Sequence, residues 1–411
     1  MAQVYRIPSL APTKWHSEGK VAPLRQPFGV NLDQEVVYAL DTRDEVVALD
    51  LENGRVRTWL TRVRDGVMGP DGTLYTVDDS GTVTQTIRRN PLRFRTRLPG
   101  RALDLFGTKD DQLLAVTATA TNTLTILAND QPAEMVTLPH GDVTASYWGD
   151  LVAVAADTAV VLLDPRGRHQ LRSLPISGHA RAVVFSPSGH RLYVARREGN
   201  PLVVNRFTLA VVGELRLPGP AGALRLDPFG RWLLVHPPTA DSVWVVDLAT
   251  GRFTASLGTS WGPDLPTVTN QQTLLVKQND DVVAYDLSRK ELAPVGRVQG
   301  GARDLWVPLA WTPETGTAVT VAPESAAVGP SDSTRTATVY LQISSSQNPT
   351  WADELAKQLA EAGLPASVLK PRTSEDGYRV VLGPYASRDD AEAIGRKLGR
   401  PFFIYQPEQH P

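Results

Sequence analysis

The stretch GALRLDPFGRWLLVHPPTADSVWVVDLATGRFTASL, from Gly222 to Leu257, decides the fold of most of this chain. It holds four short runs rich in Val, Leu and Trp that are separated by turn signals, a pattern that predicts four strands. In the first turn, Asp227-Pro228-Phe229-Gly230, the Pro presets φ and the Gly can take a positive φ. Four antiparallel strands within a stretch of this length, close to the ~40–50 residues of known repeats, predict one propeller blade.

The same unit recurs along the chain at a steady interval. Apolar residues just before a loop predict the end of the outermost strand of each blade, and they follow one another every 36–43 residues: Leu24, Leu60, Leu98, Leu138, Leu174, Leu217, Leu257 and Val298. The turn between first and second strands also recurs, as Pro187-Ser188-Gly189 and Pro228-Phe229-Gly230. Self-similarity at a fixed period indicates a repeat architecture.

Counting strands predicts an all-β propeller over residues 1–322, with eight blades, and a seven-bladed ring with irregular ends as the alternative. Seven blades are complete between Gln26 and Val298. Two strands at the N-terminus, 3–7 and 20–24, and two at the end of the segment, 303–311 and 317–322, would together build an eighth. Closure by both ends of the segment leaves no long open edge for aggregation.

Bulk composition removes several classes of function. The chain has 411 residues, a formal net charge of −2 and no Cys, so no thiol chemistry, disulfide or bulk attraction to polyanions is predicted. The first residues lack a basic region followed by an apolar core, so we expect no secretory signal. The most apolar stretch, 151–163, is interrupted by Asp157 and is shorter than the ~20 residues of a membrane span.

No motif of an enzyme or metal site stands out in the propeller segment. The His residues are scattered, and His179, His190 and His236 lie at predicted strand edges or turns, which favours structural roles. The Asp residues that close third strands recur once per blade, which predicts Asx-type turns: Asp50, Asp164, Asp247 and Asp286. We therefore predict no catalytic residues, no metal and no cofactor.

The C-terminal part of the chain has a different pattern of residues. Residues 323–337 are small, polar or Pro/Gly and predict a linker before a second domain at 338–411. Helical spacing of apolar residues appears over 350–363 and 388–399. With strands predicted at 338–344, 366–370, 378–383 and 401–405, the order is βαββαβ, an antiparallel sheet with both helices on one face.

The runs VYLQISSS, WADELAKQLAEAGLPASV and GYRVVLGPYASRDDAEAIGRKL resemble a SPOR domain over about the last seventy residues. The resemblance implies binding of peptidoglycan glycan strands stripped of their stem peptides. It also places Gln342, Ser345 and Arg379 at positions that contact glycan in the family. The chain differs from the usual family motif by having Ser344 and Ser346 where Gly and Phe are common.

Strand alternation predicts which side chains could form such a surface. The apolar set Val339, Leu341 and Ile343 should face the helices, which leaves the alternate residues on the other, open face. The residues predicted to bind glycan are Tyr340, Gln342, Arg379 and Val381 on that face, together with Ser345, which the resemblance adds. Amide, guanidinium and ring groups suit the hydroxyl, acetamido and apolar surfaces of sugars.

Two rival functions remain. RNA-recognition domains share the βαββαβ order, but their third strand carries alternating aromatics, and GYRVVL offers one, so no nucleic acid partner is predicted. Runs such as VVDLATGRFTASL and SPSGHRLYVARR resemble YVTN-type propellers of bacterial envelope proteins, a group with a lactonase relative, so a propeller hydrolase is one alternative.

We expect a non-catalytic cell-envelope protein whose tail binds glycan strands and whose propeller is a scaffold for a protein partner. Because no export signal is visible, a cytoplasmic scaffold that has lost glycan binding is the other alternative.

Overall fold

The structure is a computed structural model of the chain. It describes residues 1–411 except 32–34, 71, 88–89, 109–111, 119–120, 129–132, 148, 166–170, 290, 310, 312–338, 347–348, 362, 372–377, 399–401 and 406–411. The prediction of an all-β propeller with a small C-terminal α+β domain is confirmed.

Within the described residues, the chain from Leu24 to Val298 forms seven four-stranded antiparallel sheets, which we number as blades 1–7. In each sheet the strands pair with their neighbours in sequence order. The strands of blades 1–3 are β3 Leu24–Asn31, β4 Val36–Asp41, β5 Glu45–Asp50, β6 Val56–Thr61; β7 Val63–Met68, β8 Leu74–Asp78, β9 Thr82–Ile87, β10 Asn90–Arg97; β11 Arg101–Gly107, β12 Gln112–Ala118, β13 Asn122–Ala128 and β14 Glu134–Leu138.

The strands of blades 4–7 continue the same order. They are β15 Asp142–Ala145, β16 Val152–Ala156, β17 Ala159–Leu163, β18 Leu171–Pro175; β19 Ala180–Phe185, β20 Arg191–Arg196, β21 Leu202–Asn205, β22 Val211–Glu214; β23 Ala223–Leu226, β24 Trp232–His236, β25 Ser242–Asp247, β26 Arg252–Gly258; β27 Thr267–Val268, β28 Thr273–Gln278, β29 Asp281–Asp286 and β30 Pro294–Val298.

Burial is greatest in the middle strands of a blade and least in its outermost strand, as expected for sheets that pack face to face around a ring. Every residue of β4 is buried, whereas every residue of the fourth strand β22 is exposed. The first strands of consecutive blades contact one another from β3 to β23, so they line the centre of the ring. The middle strands therefore supply the apolar core between blades.

Antiparallel order gives the ring two faces. Loops between first and second strands, and between third and fourth strands, lie on one face, which we call the hairpin face. Loops between second and third strands, and the connections from one blade to the next, lie on the opposite face, which we call the crossover face. The recurring Pro-x-Gly turns at 187–189 and 228–230 belong to the hairpin face.

Blades 7 and 1 are bridged by a hairpin, β1 Gln3–Arg6 with β2 Ala11–His16. Leu10 is buried with Leu275 and Val282 of blade 7. On the other side, the indole Nε1 of Trp15 donates to the carbonyl oxygen of Leu51, next to blade 1, at 2.7 Å. The hairpin thus occupies the space between the last and the first blade.

Residues 304–309 and Trp311, near the end of the propeller segment, join this bridge without forming a strand. Trp306 packs on Tyr5 with 5.3 Å between ring centroids, and Trp311 packs on Trp15 at 6.0 Å. The backbone N–H of Trp306 donates to the Asp264 carboxylate at 3.0 Å. Both ends of the segment therefore meet at the seam, held by side-chain packing.

The predicted eighth blade differs from the observed bridge in two of its strands. Residues 20–23 form no strand, and Leu24 begins the innermost strand of blade 1 instead of ending an outer one. Residues 304–309 form no strand either, because Pro308 has no N–H to donate and the N–H of Trp306 is directed to a carboxylate. The fourth predicted strand, 317–322, and the linker at 323–337 lie outside the described residues.

The Asp residues that close third strands behave as predicted wherever their turns are described. A carboxylate oxygen of Asp50 accepts from the N–H of Glu52, that of Asp247 from Ala249, and that of Asp286 from Ser288, at 2.9–3.1 Å. The turn after Asp164 continues into residues that are not described.

The C-terminal domain has the predicted βαββαβ order. Its sheet order is β32-β33-β31-β34, with β31 in the interior of the sheet. The elements are β31 Val339–Ser346, α1 Pro349–Glu361, β32 Ala366–Leu369, β33 Tyr378–Tyr385, α2 Arg388–Lys397 and β34 Phe403–Tyr405. Across the described ranges of the chain, neither helix is long and apolar enough to cross a membrane.

Candidate functional site

One face of the C-terminal sheet packs against the helices, as strand alternation predicts. Val339, Leu341 and Ile343 of β31 are buried in one cluster with residues of α1, including Leu355 and Leu359. Leu341 pairs with Leu382 on one side and with Ile404 on the other, so the apolar row continues across the strands. The helix face is therefore the core of the domain.

The opposite face carries four of the five predicted glycan-binding residues, and we call it the polar face. Gln342 pairs with Val381 of β33 and with Phe403 of β34, so these three side chains form one row across the sheet. Tyr340 pairs with Tyr405 in a second row. Arg379 projects to the same side as Val381 because it lies two residues before it on the same strand.

Arg379 and Tyr405 link the two sides of this face. The guanidinium carbon of Arg379 lies 5.0 Å from the centroid of the Tyr405 ring, and one guanidinium N–H donates to the Tyr405 hydroxyl at 3.3 Å. Because β31 separates β33 from β34, this contact spans the central strand and passes over the row that contains Gln342. The guanidinium is thereby held in one orientation by a ring.

The polar face is not open to solvent, contrary to the expectation from the sequence. Gln342 and Val381 have no exposed surface and Arg379 is 8% exposed, whereas Tyr340 is half-buried. The Ser344 side chain is also fully buried. The Ser345 side chain lies outside what the structure describes, although its backbone pairs with Arg379. Helices cover one face of this sheet, so a second set of groups must cover the other.

The propeller supplies part of that cover. The ring of Phe403, in the same row as Gln342, stacks on the imidazole of His190 with 5.1 Å between centroids and 26° between planes. The guanidinium carbon of Arg191 lies 4.9 Å from the centroid of the same ring. His190 and Arg191 follow the Pro-x-Gly turn on the hairpin face of blade 5.

A second contact joins the edge of the C-terminal domain to blade 6. The rings of Phe402 and Phe229 lie 5.3 Å apart, and both are buried in the same cluster as Val339 and Leu341. The propeller therefore shares an apolar core with the C-terminal domain.

Next to these rings, an ion pair crosses between the two domains. One guanidinium nitrogen of Arg231, which follows the Phe229 turn, donates to both carboxylate oxygens of Glu392 on α2, at 3.0 Å each. Glu392 also accepts from Arg388 on its own helix, at 3.0 Å, while Arg231 contacts Asp247 of blade 6 at 2.9 Å. Each of the two charged groups therefore also contacts an oppositely charged group of its own domain.

Sequence reasoning missed Phe403 and Tyr405 on the polar face, and the propeller residues that contact the C-terminal domain. The alternation of Phe403 and Tyr405 in FFIY was a usable signal, because residues two apart on a strand share a face. His190, Arg191 and Arg231 gave no signal, since each follows a Gly-containing turn that is sufficiently explained by chain reversal.

A cavity of about 700 Å³ lies on the crossover face between blades 4 and 5. It is lined by His140, Gly141, Asp142, Ala155, Asp157, Ala180, Arg181 and Arg197. Burial raises the pKa of Asp142, and a carboxylate oxygen of this residue accepts from the N–H of Val183 at 3.0 Å, which opposes the shift. His179 contacts Asp157 at 3.2 Å. The cavity offers both signs of charge at its rim.

No group of three or more His, Asp or Glu residues is arranged to hold a metal ion within the ranges given above. The acidic residues that do come together, Asp65, Asp104 and Asp142, lie on the first strands of blades 2, 3 and 4. Burial, followed by repulsion from the Asp142 and Asp65 carboxylates, raises the pKa of Asp104 to about 6.

Comparison with protein families identifies the C-terminal domain. Residues 336–405 match the SPOR domain family, so this part of the chain is a SPOR domain, as the sequence motifs predict. A comparison with curated proteins gives no match.

Solved structures similar to the larger part of the chain are propellers. The dihydro-haem d1 dehydrogenase NirN, in complex with DHE, is 15% identical with a TM-score of 0.50, over 72% of this chain and 72% of that one. A β-propeller domain from Myceliophteria thermophila is 13% identical, over 67% of this chain and 97% of that one, with a TM-score of 0.44. AztD from Citrobacter koseri is 10% identical, over 67% and 89%, with a TM-score of 0.47. At these identities the likeness concerns the fold alone.

Proposed function

We propose that this protein is a non-catalytic binding protein of the bacterial cell envelope, whose SPOR domain binds peptidoglycan glycan strands through its polar face. The residues proposed to contact the glycan are Tyr340, Gln342, Ser345, Arg379 and Val381. The observation that carries the proposal is the row of Gln342, Val381 and Phe403 beside the Arg379–Tyr405 pair, on a domain that matches the SPOR family.

The chemistry of this row suits a sugar polymer. The Gln342 amide can donate to and accept from hydroxyl and acetamido groups. Among the described residues, neither its nitrogen nor its oxygen has a hydrogen-bond partner. Since a buried amide without partners is destabilising by about 1–3 kcal/mol, a ligand that supplies partners would recover that free energy. The rings of Phe403 and Tyr405 offer surface for the apolar faces of sugars.

The propeller has the role of a rigid scaffold in this proposal. Its hairpin face at blades 5 and 6 holds the SPOR domain, which leaves the crossover face for a protein partner. The cavity between blades 4 and 5, with Asp157, Arg181 and Arg197 at its rim, is the proposed contact region on that face.

Cosedimentation tests the proposed ligand. The full chain is titrated with sacculi whose stem peptides have been removed by an amidase, and with untreated sacculi. We expect saturable pelleting with the denuded material and at least a tenfold weaker association for Arg379→Ala, because a charge-assisted hydrogen bond and a stacked plane are lost together.

A matched control separates this effect from general loss of charge. Arg252 lies exposed on the outer strand β26 of blade 6, so Arg252→Ala should pellet like the unmodified chain. Equal pelleting with denuded and untreated sacculi, or no pelleting with either, would reject the proposed glycan ligand.

A further inference from the structure

Three kinds of contact join the two domains. An aromatic stack, a second aromatic pair in a shared core and an ion pair with two short donor–acceptor distances join the hairpin face of the propeller to the SPOR domain. Phe229 is 4% exposed and Phe402 is 5% exposed, so these rings are desolvated as in a protein interior.

One of these contacts falls on the face that the proposed ligand needs. Phe403 is the direct neighbour of Gln342 across β34 and β31, and its ring contacts both His190 and Arg191. A glycan strand that reached Gln342 from the β34 side would have to displace these two propeller side chains. Glycan and propeller loops therefore compete for the same row.

From this we infer that the hairpin face of blades 5 and 6 is an intramolecular binding surface for the β34 edge of the SPOR domain, and that it regulates glycan binding by competing with the glycan for Phe403. The inference rests on the proposed glycan ligand. In the closed arrangement described by the structure, His190 and Arg191 cover Phe403 of the polar face. Binding requires the Arg231–Glu392 pair and the Phe403–His190 stack to separate.

Competition of this kind has a simple quantitative consequence. The apparent affinity for glycan equals the intrinsic affinity multiplied by the fraction of molecules that are open. Any change that weakens closure without altering the polar face therefore raises the apparent affinity. The ion pair is suited to this test, because Arg231 belongs to the propeller and Glu392 lies on α2, away from the polar face.

Substitutions at the ion pair give the first arm of the experiment. In the full chain, Arg231→Gln and Glu392→Gln should each pellet with denuded sacculi about 5- to 10-fold more tightly than the unmodified chain, the ratio expected when one partly buried ion pair is lost from the closed state. Arg289→Gln is the matched control, since Arg289 pairs with Asp286 of blade 7 at 3.0 Å in a similar turn. It should leave pelleting unchanged.

A covalent lock gives the second arm and uses the absence of native Cys from the sequence. The variant Arg231→Cys/Glu392→Cys is joined by a bifunctional maleimide that contains a reducible disulfide. The locked protein should bind denuded glycan at least tenfold more weakly than the same sample after reduction. Each single-Cys variant, treated alike, should show no difference on reduction.

The outcomes separate the regulation from the ligand. Binding that is equal before and after reduction, or that is unaffected by Arg231→Gln and Glu392→Gln, would overturn the regulatory inference and leave glycan binding in place. Absence of binding in the locked, the released and the substituted proteins would overturn both. Tighter binding by the released form alone supports both.

Discussion

The ring of Phe403 stacks on the imidazole of His190, although 213 positions of sequence separate the two residues, and the ring planes are within 26° of each other. This relationship ties the last strand of the SPOR sheet to the first loop of blade 5. It makes the propeller a part of the environment of the polar face, so the properties of the two domains should be coupled in solution.

Phe229→Ala tests that coupling through stability. Because Phe229 is 4% exposed and packs in the core of the SPOR domain, its truncation should lower the free energy of unfolding by about 2–4 kcal/mol. Phe253→Ala is the control, since Phe253 is 37% exposed on β26 and its loss should change stability by about 0.5 kcal/mol or less. Urea unfolding followed by fluorescence measures both, and equal losses would show that the shared core is not formed.

Gly395→Ala tests the packing behind the interface. A Cβ at this position of α2 would lie 2.5 Å from Cε1 of Phe402, well inside contact distance. Ala normally stabilises a helix relative to Gly by about 1 kcal/mol. Here we expect destabilisation by about 1–2 kcal/mol, because the ring of Phe402 must move against Phe229.

The sign of the change in stability caused by Gly395→Ala tests this packing, and it is measured by the same urea unfolding. Gly258→Ala on β26 is the comparison, since a Cβ there meets nothing within 4 Å. An increase in stability with Gly395→Ala would mean that Phe402 does not occupy the described position.

Asp104 gives a prediction about pH. Burial, followed by repulsion from the Asp142 and Asp65 carboxylates, raises the pKa of Asp104 from an ordinary value of 3.8 to about 6. The folded state therefore holds its proton more tightly than the unfolded chain, and the stability that this group contributes below pH ~4 is lost as pH rises to ~6.

Replacement of Asp104 by Asn removes this loss. We expect Asp104→Asn to match the unmodified chain at pH 4 and to exceed its stability at pH 8 by about 1 kcal/mol, a figure reduced to allow for the solvent that reaches this half-buried carboxyl. Thermal unfolding at the two pH values measures the difference. Asp280→Asn, at a carboxyl that is 80% exposed, should show no pH-dependent gain. A gain at pH 4 instead of pH 8 would contradict the stated cause.

Much of the fold could be predicted because it repeats or because it is local. Apolar strand ends at a steady interval mark the successive blades, and the helical spacing of Leu355 and Leu359 marks α1. Counting strands was less reliable at the seam. Leu24 carries the apolar signal of a strand end, but it begins β3, since period-2 alternation does not record which strand lies beside it.

The sequence predicted which strand residues share the candidate face, but it did not predict which groups cover that face. Alternation along β31 correctly assigns Leu341 to the helix face and Gln342 to the other. It could not reveal that Phe403, the neighbour of Gln342, is covered, because the covering residues His190 and Arg191 come from a loop whose Pro and Gly are explained by the turn alone. Contacts between domains depend on how two finished surfaces fit, and no local pattern encodes that fit.

Gln342→Leu should separate stability from binding. The side chain of Gln342 has no exposed surface, and its amide has no hydrogen-bond partner within the described part of the chain. Leu has a similar volume and no polar atoms, so the substitution removes a buried polar group without leaving a cavity. Replacing such a group by an apolar one is neutral or stabilising, and we expect a gain of about 1–2 kcal/mol in the free energy of unfolding.

The same substitution should abolish association with denuded sacculi, because Leu can neither donate to nor accept from a sugar. Gln342→Glu is the informative companion: it keeps the shape and one acceptor but places a charge in a buried position, so it should lose both stability and binding. If Gln342→Leu were less stable than the unmodified chain, the amide would already be satisfied in the closed state, and its role as a group kept free for a ligand would be wrong. Greater stability together with lost pelleting would identify Gln342 as a residue retained for binding at the expense of the fold.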